Sequence, residues 1–251
     1  MSRRIVCTGR GGVGKSTFVA LISRYLKPPS LLIDLDPDLS LADMLGFDFH
    51  KEGKKTVCEA LYEVVEKRKS GKGSSLITTQ DMMNSLLWSE CLYEDRAFDL
   101  ITLGTKLTEG CLCFPDELLK KTIPKLAQNY TNIVVDSPAG VEHLNRNIVP
   151  IINDLFVICD LSEKSLKHIP RIKKIMEEVG TKYDHFYLVA NYEFDQGAEE
   201  YLKKSGEIYL GKIEYDANVE EYNLEGKSLL GLPVDSPALV SVKEILTKAG
   251  Y

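Results

Sequence analysis

Residues 9–17 read GRGGVGKST, and Gly9, Gly14, Lys15 and Ser16 satisfy the spacing glycine, four residues, glycine-lysine-serine/threonine. The stretch follows the β-branched pair Ile5-Val6 and precedes an apolar-periodic segment from Phe18 to Leu26. That places it between a strand and a helix, the context in which the pattern is a phosphate-binding loop. Gly11, Gly12, Val13 and Gly14 bring backbone N–H groups against phosphate oxygens, with Ser16 and Thr17 at the start of the helix. The helix terminus adds partial positive charge, Lys15 supplies a full charge to the terminal phosphates, and Ser16 is placed to hold magnesium. A nucleoside triphosphate site follows.

Outward from the loop, short β-rich runs alternate with helical patterns. The runs are 5–8, 31–34, 100–103, 133–136, 155–159, 186–190 and 208–213. Such alternation predicts an α/β fold, a mostly parallel sheet with helices on both faces and functional residues at the carboxyl ends of strands. Between Phe47 and Phe98 the rhythm breaks. Val57, Ala60, Leu61, Val64 and Val65 mark one amphipathic helix, and Lys69–Ser75 is polar linker chemistry. The expected organisation is therefore one domain over residues 1–251 with an insertion at about 47–98. Leu239, Val240, Val242, Ile245 and Leu246 mark a C-terminal helix on the core.

The chain has 251 residues, is 44% hydrophobic and carries a formal charge of −6. It is long enough for a full core and has no overall basic character to suggest nucleic acid. There is no apolar run of bilayer length, and Ser2-Arg3-Arg4 leads straight into the first strand, so a cytoplasmic protein is expected. In a reducing compartment the six cysteines serve as buried thiols or metal ligands rather than disulfides. Cys7, Cys58, Cys91 and Cys159 fall within apolar patterns. Cys111 and Cys113 differ: in extended chain, residues two apart point to one side, so both thiolates can reach one ion without completing its shell. A two-fold dimer would bring four sulfurs together, tetrahedral for zinc or planar for nickel.

Two further segments carry carboxylates just beyond strand tips. Asp34-Leu35-Asp36-Pro37-Asp38 ends the second run, where Asp36 can order an attacking water, Asp34 can assist the outer shell of a metal, and Asp38 fits a helix cap or solvated turn. Asp136 closes Ile133-Val134-Val135 and opens a segment in which Asp136 can hold a magnesium-coordinated water and Gly140 can approach the γ-phosphate. Glu142 and His143 fit capping and packing better than acid–base chemistry. Guanine recognition by an aspartate three residues after an asparagine is absent: Asn191 is followed by Tyr192, Glu193 and Phe194, which favours ATP.

The loop resembles the deviant Walker A motif of the MinD/ParA/nitrogenase-iron-protein class, whose first lysine reaches across a homodimer to the partner's nucleotide; Arg10 occupies that place and can contact phosphate with two donors. The resemblance implies that Asp36 orients water and that Asn191 contacts adenine. GRGGVGKST, DLDPDLSLADMLG (34–46), GCLC (110–113), DSPAGVEHLNR (136–146) and PVDSPALV (233–240) together resemble the CooC-type ATPases, which mature the nickel site of carbon monoxide dehydrogenase, with relatives that serve acetyl-CoA synthase. That resemblance implies an ATP-hydrolysing metallochaperone, a homodimer with nickel or zinc on Cys111 and Cys113, no nucleic acid and no membrane. The alternative is a positioning ATPase of MinD or ParA type on a membrane or nucleoid surface.

Overall fold

The computed structural model describes residues 2–70, 78–105, 120–125, 128–141 and 148–251. Cys111, Cys113, Glu142 and His143 lie outside the described residues. The strands are β1 (Arg3–Gly9), β2 (Ser30–Asp34), β3 (Tyr93–Glu94), β4 (Asp99–Thr102), β5 (Asn132–Asp136), β6 (Ile151–Cys159), β7 (Lys182–Ala190) and β8 (Ile208–Lys212). They form one sheet in the order β3-β4-β2-β5-β1-β6-β7-β8. Among the described strands, only the β3–β4 pair is antiparallel.

Alternation along each strand sorts its side chains onto two faces. On one face, Val6, Leu31, Ile33, Ile101, Val135 and Leu188 join one cluster. Their neighbours Ile5, Leu32, Leu100, Val134, Phe156 and Val189 join the other. Because parallel strands are linked by crossovers that cover both faces, the strands are apolar on both sides rather than half polar. Residues 31–33 are 0% exposed throughout.

Helices α1 (Lys15–Ser23), α2 (Ser40–Leu45) and α8, the C-terminal helix Pro237–Lys248, cover the second face. The first is covered by α3 (Val57–Lys69), α4 (Thr79–Leu86), α5 (Glu163–Val179) and α6 (Gln196–Lys203). Local chemistry sets their ends. Thr56 and Glu59 form a reciprocal capping box at the start of α3: Glu59 N donates to Thr56 Oγ1 at 3.2 Å and Thr56 N donates to Glu59 Oε2 at 2.8 Å. Ser162 caps α5 by accepting from Ser165 N, and Gly180, at φ 71°, ends it in the left-handed region.

The described residues between α2 and β3 pack at the β3–β4 edge of the sheet. Val57, Ala60, Leu61 and Val64 of α3 pack with Met83, Leu87 and Cys91 on one face, while Phe47, Phe49, Tyr93 and Phe98 form an aromatic group on the other. Cys7, Cys58, Cys91 and Cys159 are buried thiols, as their apolar surroundings predict.

Helix α1 begins at Lys15 and ends at Ser23, with Ser16 and Thr17 in its first turn, because Gly14 at φ 92° starts the helix directly from the loop. Of the two places open to Asp38, a helix cap or a solvated turn, the structure shows the turn: Asp38 is exposed there, and Leu39, at φ 57°, occupies the cap position of α2. Strand β3 and helix α4 have no clear periodic signal, β3 because two residues are too few and α4 because its segment mixes Thr, Gln, Asp and Asn with its apolar residues.

Phe156 lies at the centre of the second face, with ring centroids 5.4 Å from Phe18 and 5.2 Å from Tyr187. Phe156→Ala is expected to lower unfolding free energy by about 3–5 kcal/mol, measured by urea titration, while Leu224→Ala, at an exposed position, changes it by less than about 0.5 kcal/mol.

Candidate nucleotide site

The carboxyl ends of β1, β2 and β5 meet beneath the loop. Gly9 has φ 154°, and a Cβ there would lie 2.5 Å from the Ile158 carbonyl oxygen, so only glycine lets the loop leave the sheet so closely. Gly12 and Gly14 also have positive φ, 78° and 92°. The turn they make delivers Lys15, only 6% exposed, into the loop's own cavity. Its Nζ donates to the Arg10 carbonyl oxygen at 3.0 Å. Burial lowers the Lys15 pKa, and the nearby carboxylates of Asp136 and Asp36 oppose that shift.

Asp34 and Asp136 sit opposite one another in the β2–β5 register, and both are 0% exposed. Asp34 is spent on structure: it accepts from the backbone N–H of Asp36 at 2.9 Å and of Leu41 at 3.2 Å, which fixes the loop beyond β2. A metal outer-shell role is therefore not where its hydrogen bonds go. Burial pushes its carboxyl well up, with Asp136 adding to the effect.

Asp136 is different. Both of its oxygens are enclosed without a hydrogen-bond partner. Burial pushes its pKa up to about 7; the approaching Ser16 hydroxyl and the Lys15 ammonium oppose the shift and Asp36 adds to it. A desolvated anion with no donor is costly, and a cation meets that need. Ser16 and Asp136 thus fit a magnesium ion accompanying a nucleotide. Asp36 is half-buried above them, one oxygen accepting from Asp38 N at 3.1 Å.

The segment after β5 is stitched to β1. Ser137 Oγ donates to the Cys7 carbonyl at 2.6 Å, and Gly140 N donates to the Gly9 carbonyl at 3.1 Å. A displacement of either loop is thereby felt by the other.

Arg10 points within its own chain. Its Nη1 donates to Ser162 Oγ at 2.9 Å and lies 3.8 Å from Asp160 Oδ2. His168 on α5 is buried beside this cationic group, and its Nε2 has no partner. Burial lowers its pKa, and Arg171, Arg10 and Lys15 add to the effect.

A cleft of about 310 Å³ continues from Gly12, Val13, Gly14 and Thr17 to Asn191, Tyr192 and the segment after β8. Asn191 lines it but is engaged locally, accepting from Glu193 N at 3.1 Å. Phe194 is 2% exposed and part of the core, so that position offers nothing to a base. The far wall is built by Asp216. It caps helix α7 (Ala217–Glu225) through Asn218 N at 2.9 Å, and it accepts from Ser236 Oγ and from Ala238 N at the start of α8. These bonds hold the Asp216 carboxyl low against the opposing effect of burial.

A family model described as an AAA domain matches residues 3–187. The chain belongs to this family. It is 33% identical over 250 residues to an uncharacterized ATP-binding protein of Methanocaldococcus jannaschii, the match covering 97% of each chain. The carbon monoxide dehydrogenase accessory protein CooC of Rhodospirillum rubrum is 26% identical over 190 residues, 71% of each chain. The fold resembles that of a Borrelia burgdorferi plasmid partition protein bound to AMPPNP, with a TM-score of 0.73 at 17% identity and 98% of each chain covered. It also resembles the Aquifex aeolicus cell division protein MinD, with a TM-score of 0.66 at 18% identity, over 99% of this chain and 96% of that one. The chain is thus a member of the AAA-domain family with a MinD-like fold.

The structure brings Gly11, Gly12, Val13, Gly14, Lys15, Ser16, Thr17, Asp36 and Asp136 to one end of the sheet, with Asn191 along the cleft. The sequence reading missed Asp160, Ser162, His168, Tyr215 and Asp216. Asp216 had a legible signal: it follows the last strand and precedes Ala217-Asn218, a cap position. The others are recognisable only once crossovers bring them to the loop.

The raised Asp136 pKa fixes a sign. An unfolded aspartate ionises at about 3.9, so between roughly pH 4 and pH 7 the unfolded state binds fewer protons, and folded stability falls as pH rises through that window. In EDTA and without nucleotide, the melting temperature is expected to rise on acidification from pH 8 to pH 6. Asp136→Asn should flatten that part of the dependence, and an unchanged slope in that variant would show that the carboxylate is not the group responsible.

Proposed function

We propose that this ATPase is a metallochaperone: a homodimer closed by ATP and reopened by hydrolysis, carrying nickel on Cys111 and Cys113 to a client such as carbon monoxide dehydrogenase. The observation that supports this most is the relationship to the carbon monoxide dehydrogenase accessory protein, which extends over 190 residues.

In this reading Lys15 exchanges the Arg10 carbonyl for terminal phosphate oxygens. Asp36 orients the attacking water, which yields ADP and phosphate, and Arg10 leaves Ser162 for the partner's nucleotide. Ser16 and Asp136 hold magnesium, which when bound neutralises developing phosphate charge. The bonds from Ser137 and Gly140 to β1 carry the change at the phosphates into the segment beyond β5. For ATP to govern metal release, nucleotide must alter the affinity of the thiolate site, and metal must then alter nucleotide affinity by the same factor.

A positioning ATPase is the second reading, favoured by the fold likeness to MinD and the plasmid partition protein. The apolar face of α8 is packed on the core: Leu239, Val242, Ile245 and Leu246 are buried. No helix among the described residues is long and apolar enough to cross a membrane.

Anaerobic nickel titration of the parent chain and of the Cys111→Ser/Cys113→Ser variant, each with ADP and with AMPPNP, separates the readings. The metallochaperone predicts roughly one nickel per dimer, lost in the double variant and changed in affinity by nucleotide. Absence of cysteine-dependent metal, together with cosedimentation on liposomes or DNA, would instead establish the positioning ATPase. Asp36→Ala is expected to retain ATP binding and lose turnover by roughly 100-fold or more, read by phosphate release; normal turnover would remove Asp36 from water activation.

A further inference from the structure

Helix α5 carries a cationic stripe that the hydrolytic machinery does not use. Lys164, His168 and Arg171 stand at positions i, i+4 and i+7, so they fall on one side of the helix over about 10 Å. The stripe begins next to the phosphate loop, because Arg10 rests on Ser162 at the start of the same helix. Other cations of α5 are paired: Lys167 lies 2.6 Å from Glu163, Lys174 lies 3.8 Å from Glu178, and Lys173 donates to Glu207. Lys164 and Arg171, both exposed, have no carboxylate partner among the described residues. In a chain of formal charge −6, these unopposed cations are a local departure from the overall balance.

His168 is the informative member. It is 9% exposed, and its Nε2 is enclosed without a hydrogen-bond partner. An apolar side chain would fill the same space without that cost. Burial, and then the positive charges of Arg171, Arg10 and Lys15, keep the imidazole neutral. Asp160, at the head of the helix, is already taken up: it accepts from Ser162 N at 3.0 Å and lies against Arg10. The stripe is therefore a set of donors without an acceptor. A water molecule would satisfy the nitrogen but leave both cations unopposed, whereas a compact oxyanion accepts from a guanidinium and an imidazole N–H at once. Hydrolysis at the loop generates such an anion nearby, since orthophosphate that leaves Lys15 on the Arg10 side meets this stripe next.

We propose that Lys164, His168 and Arg171 form a second oxyanion site, outside the phosphate loop, that receives the orthophosphate released there. The source of the anion rests on the ATPase reading of the loop; the site itself rests on α5 alone. Arg171 supplies paired donors, His168 supplies the enclosed one, and Lys164 closes the end near Arg10.

The test is a titration of the nucleotide-free, full-length chain with inorganic phosphate at constant ionic strength, followed through the His168 ring protons by NMR. The chain has four histidines, and the signal that vanishes in His168→Gln assigns the ring. The parent is expected to show a saturable shift of that signal. Arg171→Ala should raise the half-saturating phosphate concentration at least about 5-fold. Lys203→Ala, which removes an exposed cation on α6, should change it by less than about 2-fold. Lys15→Ala removes the main phosphate ligand of the loop and is expected to leave half-saturation within about 3-fold of the parent. In turnover, inhibition by added phosphate should require at least about 5-fold more phosphate in Arg171→Ala than in the parent. No saturable shift in the parent, or equal weakening by Arg171→Ala and Lys203→Ala, overturns the site. Loss of the shift in Lys15→Ala would put the anion in the loop and overturns it as well. A parent that binds phosphate at His168 but does not hydrolyse ATP would keep the anion site and overturn its role in receiving product.

Discussion

A parallel sheet must be covered on both faces, and this constraint organises the molecule. Each crossover between parallel strands lays chain across one face, so Ile5 and Val6, or Leu32 and Ile33, are adjacent in sequence yet belong to opposite cores. With neither face available for chemistry, polar groups collect where the strands end. Asp34, Thr102 and Asp136 close β2, β4 and β5 at the same level, and Gly9 closes β1 beside them. The strand order then places the phosphate loop between β5 and β6, next to the carboxylates.

The two buried aspartates show how similar residues are given different tasks. Asp34 receives two backbone N–H groups and becomes part of the loop's architecture. Asp136 receives none, and an enclosed carboxylate without a donor is costly unless a cation meets it. Lys15 is held back in a similar way: its ammonium rests on a carbonyl of its own loop, a weaker partner than a phosphate anion.

The sequence made the loop, the parallel sheet and the carboxylates at strand tips legible because each depends on local pattern. The glycine spacing at 9–14 and the apolar runs at 31–33 and 133–135 need no knowledge of distant neighbours. Helix α1 starts before the apolar period at Phe18 because Gly14 launches it directly from the loop, as the loop pattern itself implies. Local pattern left Asp38 open to a helix cap or a solvated turn, and Leu39, a non-glycine in the left-handed region at the cap position, decides for the turn. The contacts of Arg10 and the pairing of Tyr192 with Tyr215 span 152 and 23 residues of chain respectively. No periodicity encodes such distances; only the strand order brings these residues together.

The place where Arg10 rests has a consequence of its own. Ser162 is the cap of α5, a helix from Glu163 to Val179, so the guanidinium lies against the positive end of seventeen aligned peptide dipoles. That field disfavours a cation, and Asp160, at 3.8 Å, counters it only in part. The arginine is consequently moored in an electrostatically shallow berth. Its hold is strong enough to define one orientation and weak enough that a competing polyanion can draw it away without unfolding anything.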